Sequence, residues 1–140
     1  MNSMATMLAL VAVAAVIDAD GAGNQAESYV PKLGQLINEY RVQQGLPPLA
    51  LDAPLSELAH EHARTMAHDN RLSHDGFQQR FAKAQSPTCV ENVGSNFDKP
   101  EAEFDAWRNS PAHDHNLLDS RITRMGIATE DRYVAFFACR

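Results

Sequence analysis

The sequence predicts an α+β domain in which helices come first and strands come mostly last. Three observations carry this. Residues 31–45 and 53–70 place apolar side chains at three- and four-residue spacing, residues 125–129 and 133–139 switch to short apolar β-type runs, and no strand–helix–strand alternation of the kind that builds a parallel sheet is present. At 140 residues the chain has the length of one domain with a modest core, and it carries no internal repeat.

Taken in order, Leu33, Leu36, Ile37, Tyr40 and Leu46 fall near one stripe of a first helix that Gly45 stops. The stretch "LPPLALDAPLSEL" holds three prolines, and Asp52 as N-cap with Pro54 in the first turn opens a second helix. Its inward stripe is Leu55, Leu58, Ala59, His62, Ala63 and Met66. Within it, "HEHAR" is not the HExxH zinc motif: the fifth residue is Arg64, and His60 and His62, two apart, point to different faces. His62 reads as a core-facing histidine with a satisfied ring, His60 and His68 as solvated.

A polar turn from His74 to Gly76 leads into a short third helix. "TCVENVG" reads as a strand with Cys89, Glu91 and Val93 on one side. "PEAEFDAWRNS" returns to helical spacing, with Pro100 at its start and Phe104 and Trp107 facing inward, and Ser110 followed by Pro111 has the form of a helix cap with proline in the first turn. The last two apolar segments are joined by a short charged turn suited to a hairpin.

The formal net charge is −6, and the twelve Lys and Arg are scattered, so no basic stripe exists to neutralise phosphates and nucleic acid is excluded as a partner. The one long apolar run, residues 7–16, is too short to span a membrane, which takes roughly twenty residues. It suits the centre of a secretory signal, with cleavage after Ala19 or Ala22, although no Lys or Arg precedes it. Residues 1–27 are therefore set aside as a leader, and the protein is expected to be secreted or periplasmic. Cys89 and Cys139, the only cysteines, read as one disulfide in an exported protein; two buried free thiols are the alternative.

Four separated stretches, "LINEYRVQQGLPPLALDAPLSELAHEHARTMAHDNRLSHDGF", "ENVG", "AWRNSPAHDHNLL" and "RMGIA", together resemble the CAP superfamily in its bacterial form. That superfamily also holds cysteine-rich secretory proteins, insect venom antigens and plant pathogenesis-related proteins. The resemblance covers about residues 33–138 and implies an α-β-α sandwich, a small antiparallel sheet between helical layers, here over residues 28–140. It also implies a shallow cleft lined by two His and two acids. Carried onto this sequence, these are His74 of "SHDGF", Glu91 of "ENVG" and His113 of "SPAHDHNLL"; where many eukaryotic relatives place a Glu three residues after the Trp, this chain has Ser110.

Three chemistries are open to these residues. His74, His113 and Glu91 are a normal ligand set for Zn2+ or another divalent cation, held weakly, or else a hydrogen-bonded network that stiffens the fold. Ser110 as nucleophile, His113 as base and Glu91 as its orienting group would make a hydrolase, although a capping hydroxyl is committed to the backbone and no oxyanion device is visible. The reading preferred to an enzyme is a monomeric binding module with no required cofactor, whose cleft of His74, Glu91, Ser110 and His113 takes an envelope or extracellular lipid, glycan or protein. Trp107 is expected in the core, His115 exposed, and Asn116 tying its loop to backbone.

Overall fold

The computed structural model describes residues 21–140, with side chains from Ser28 onward. The apolar run and the cleavage point after Ala19 lie outside the described residues; Ala22 falls in the first turn of helix α1, Gly21–Gln43. This helix begins ten residues before the predicted start and continues through Pro31, where only one helical N–H is forfeited.

The remaining elements are β1 (Ala50–Leu51), α2 (Ala53–Asp69), α3 (Phe77–Ala84), β2 (Cys89–Ser95), α4 (Pro100–Arg108), α5 (Pro111–Leu117), β3 (Arg124–Glu130) and β4 (Tyr133–Cys139). Helix α2 starts where its cap dictates: the Asp52 carboxylate accepts the Leu55 N–H at 2.9 Å, and Asn70 ends it in the left-handed conformation. The sheet order is β1-β3-β4-β2. Strands β3, β4 and β2 form the expected antiparallel unit. The two-residue β1, read from sequence as a proline-rich connector, adds a parallel edge through Ala50↔Arg124 and Leu51↔Met125, so the sheet is mixed.

Period-two alternation along β4 divides the core into two layers. Val134, Phe136 and Ala138 pack under Leu33, Ile37, Phe104, Trp107 and Leu117 of α1, α4 and α5. Ala135, Phe137 and Cys139 face Leu55, Leu58, Ala59 and Met66 of α2, with Phe77 and Ala84 of α3 beside them. The molecule is thus an α-β-α sandwich. A Cys89–Cys139 disulfide joins directly opposed residues of β2 and β4.

Strand β2 is the outer strand, and its free edge is covered by side chains. The Trp107 indole N–H donates to the Val93 carbonyl at 3.2 Å, and Asn116 Nδ2 donates to the Glu91 carbonyl at 3.1 Å and to Asn92 Oδ1 at 3.0 Å. Asn92 returns a bond to the His113 carbonyl at 3.1 Å. These bonds satisfy an edge that would otherwise present bare acceptors, and they fix α5 against β2. From the other side, the buried guanidinium of Arg41 holds the end of α5, donating to the carbonyls of Leu117 and Asp119 at 2.8 and 3.0 Å and to that of Pro47 at 3.0 Å.

Candidate functional site

The site grows from one buried carboxylate. Glu91 shares the parity of Val93 along β2 and therefore points into the α2/α3 layer, where its side chain is 2% exposed. A carboxylate so placed needs compensation. Arg80, on the inward stripe of α3 with Phe77 and Ala84, supplies it: Nε donates to Oε2 at 2.7 Å and Nη2 to Oε1 at 2.8 Å, a bidentate pair, while Nη1 bonds the Asp75 carbonyl at 2.8 Å.

Two histidines meet the same carboxylate. His74, in the turn before α3, donates Nδ1–H to Glu91 Oε1 at 3.0 Å and keeps its side chain 54% exposed, so its ring is open to solvent. His62 is buried, with Nε2 at 2.7 Å from the Ser73 carbonyl and 3.6 Å from Glu91 Oε1. Burial holds its pKa below the ordinary histidine range against the opposing pull of Glu91. The neutral ring spends its Nε2–H on Ser73, the residue before His74, and thereby anchors the turn that presents His74. Its Nδ1 is buried without a partner, so the ring is half satisfied, not fully as the sequence suggests.

His113 sits half-buried in the first turn of α5, on the covered edge of β2. Burial, and then the charge of His74, lower its pKa, which places the two imidazoles in one electrostatic neighbourhood. Its ring has no hydrogen-bond partner among the described residues. The structure therefore brings His74 onto Glu91 by contact and sets His113 beside them without joining it to Glu91.

The geometry bears on both chemistries that the sequence leaves open. The described residues contain no group of three His, Cys, Asp or Glu placed to hold a metal ion. Both Glu91 oxygens accept from Arg80, whose positive charge opposes a cation beside them, and Oε1 also accepts from His74. The Ser110, His113, Glu91 relay is not assembled either. Glu91 orients His74, and no hydrogen bond links Ser110 to His113 among the described residues. Ser110 is the N-cap of α5 by position, yet its hydroxyl makes no capping bond, contrary to the commitment expected from its Ser-Pro setting.

The outlying histidines behave as surface groups: His60 pairs with Glu130 at 3.0 Å, His68 with Asp69 at 2.9 Å, and His115 is exposed. Sequence reasoning missed Arg80, although a charged residue on the apolar stripe of an eight-residue helix was the available signal.

Residues 35–139 match the Cysteine-rich secretory protein (CAP) family. Two curated Bacillus subtilis proteins are each 30% identical to this chain. The uncharacterized protein YkwD aligns over 113 residues, 76% of this chain and 44% of its own length; the uncharacterized membrane protein YlbC aligns over 107 residues, 70% and 30%. This chain thus spans less than half the length of either. Among solved structures, an extracellular protein containing an SCP domain from Bacillus anthracis superposes with a TM-score of 0.80 at 23% identity, covering 91% of this chain and 45% of that one. An outer surface protein of Borrelia burgdorferi gives 0.69 at 27% identity, covering 79% and 91%. Among the described residues, no helix is long and apolar enough to cross a membrane.

Proposed function

The chain belongs to the CAP family of cysteine-rich secretory proteins, and from that premise we propose that it is an exported binding module whose ligand is met by His74 and His113. One observation carries the reading. Arg80 saturates the buried Glu91, so the groups left to meet a ligand are the exposed ring of His74 and the unpartnered ring of His113. The two rings offer polar N–H groups and ring nitrogens, which suits a polar ligand such as an envelope glycan better than a hydrocarbon chain.

Export is supported by the apolar leader, by the disulfide, and by the extracellular and outer-surface character of the two structural neighbours. Intact mass of protein recovered from the cell envelope should show a shortened chain with no alkylatable thiol. A full-length chain with two free thiols would contradict export.

A divalent cation is left with two imidazoles, a weak set. Calorimetry with Zn2+ should therefore give weak binding that disappears in the His74→Ala/His113→Ala variant. The test of the function itself is a binding panel of soluble envelope glycans and lipids run on the wild-type protein and this double variant. A polar ligand retained by the former and lost by the latter is expected; a ligand bound equally by both would place the site elsewhere. Acyl transfer through Ser110 has no geometric support, and a serine-directed phosphonate should leave Ser110 unlabelled.

A further inference from the structure

At the end of β2 remote from Glu91 lies a cavity of about 420 Å3, bounded by α1, the β2–α4 loop and the β3–β4 hairpin. Glu91 and Asn96 are five residues apart along the strand and its exit, on the order of 16 Å, and the cavity lining includes none of His74, Glu91 and His113. Tyr29, Phe97 and Val134 give it apolar and aromatic surface, and Asp98 and Asp131 give it negative charge. Arg132 is the one cation among its described lining residues, and it is already engaged. Its guanidinium donates to Asn70 Oδ1 at 2.6 Å and to the Tyr133 hydroxyl at 2.9 Å, and lies 5.1 Å from the Tyr133 ring centre.

Behind the wall sits Glu103 of α4, 1% exposed, with neither carboxyl oxygen hydrogen-bonded. Its head rests where a β-carbon on Gly94 would be, so a side chain at that position would have to displace the carboxyl. Gly94 pairs with Val134, and Val134 forms part of the cavity wall. Tyr29, also on that wall, has its hydroxyl pKa pushed up, first by burial and then by the charges of Glu103, Glu101 and Asp98. The carboxyl therefore stands directly behind the cavity and its charge is felt there. A buried acid without hydrogen bond or counter-charge is rare in folded proteins and calls for a partner.

The geometry points to this cavity as a binding site for an alkylammonium group, with the rings of Tyr29 and Phe97 against the cation and Asp98 and buried Glu103 supplying the negative charge. It is independent of the reading given to His74 and His113.

The test is an NMR titration of the full chain at pH 8 with hexylammonium, using hexanol and hexanoate as neutral and anionic counterparts. Hexylammonium should give saturable shifts at Tyr29, Phe97 and Val134, and both counterparts should bind about tenfold more weakly. Glu103→Gln, nearly isosteric, and Asp98→Asn, on the exposed loop, should each weaken hexylammonium by about tenfold while leaving the far-ultraviolet spectrum unchanged. Equal binding of hexanol, shifts centred on His74 and His113, no saturable shift, or full affinity in either variant would overturn the proposal.

Discussion

Two buried carboxyl groups face each other's problem with different solutions. Glu91 is matched by a bidentate guanidinium, and removing that partner leaves an unpaired charge in the core. Arg80→Met is expected to cost about 3–5 kcal/mol in urea unfolding, and adding Glu91→Gln should recover a large part of it; equal stability of single and double variants would show that the pair is not coupled. Glu103 has no hydrogen-bond partner among the described residues, and burial raises its pKa from 4.5 to about 7. A carboxyl whose folded-state pKa is raised costs nothing below its unfolded value; the cost grows as pH rises from the unfolded value to the folded one and levels off above it. At about 1.4 kcal/mol per pKa unit the penalty approaches 3 kcal/mol by pH 8. Glu103→Gln should therefore be more stable than wild type at pH 8 and similar at pH 4.5; a pH-independent difference would contradict this account.

The elements that position the site depend on close approach. Strand β3 passes beneath the start of α2 with Gly126 against the backbone of Leu55 and Ser56, which a β-carbon would overlap. Gly126→Ala should cost about 1–3 kcal/mol, because backbone cannot swing aside. Gly34, buried within α1, would meet only the flexible end of Met125 at 3.3 Å and Ile127 at 3.6 Å. There alanine gains helix propensity, about 1 kcal/mol, and Gly34→Ala should be neutral or stabilising. Thermal unfolding of both variants decides the contrast.

Much of this layer was legible in the sequence. Asp52 with Pro54 marked α2, Pro100 marked α4, and the change of period after residue 124 marked the hairpin. Strand β1 was not legible because two residues carry no periodicity, and the role of Arg41 was hidden because its partners are carbonyls 76 and 78 residues away. For the site, motif order located His74, Glu91 and His113, whereas Arg80 and His62, which decide what Glu91 can do, are recognised only through tertiary contact.

At the scale of the molecule, the disulfide joins β2 to β4 two residues from Glu91 and closes a sequence separation of 50. The chain-entropy model values such a closure at about 4 kcal/mol, so Cys89→Ser/Cys139→Ser should lose stability of that order in urea unfolding. It ties the start of the strand whose opposite edge is covered by Trp107 and Asn116 and which carries Glu91. The central claim is that Glu91 belongs to the framework, held by Arg80, and that His74 and His113 face the ligand. Imidazole 15N–1H spectra at pH 7.5, recorded during titration with a polar ligand taken from the binding panel, test this most directly. His74 is expected to be protonated at Nδ1 and His62 at Nε2, with ligand-dependent shifts confined to His74 and His113. His74 protonated at Nε2, or shifts that appear at His62 and leave His74 and His113 unmoved, would contradict it.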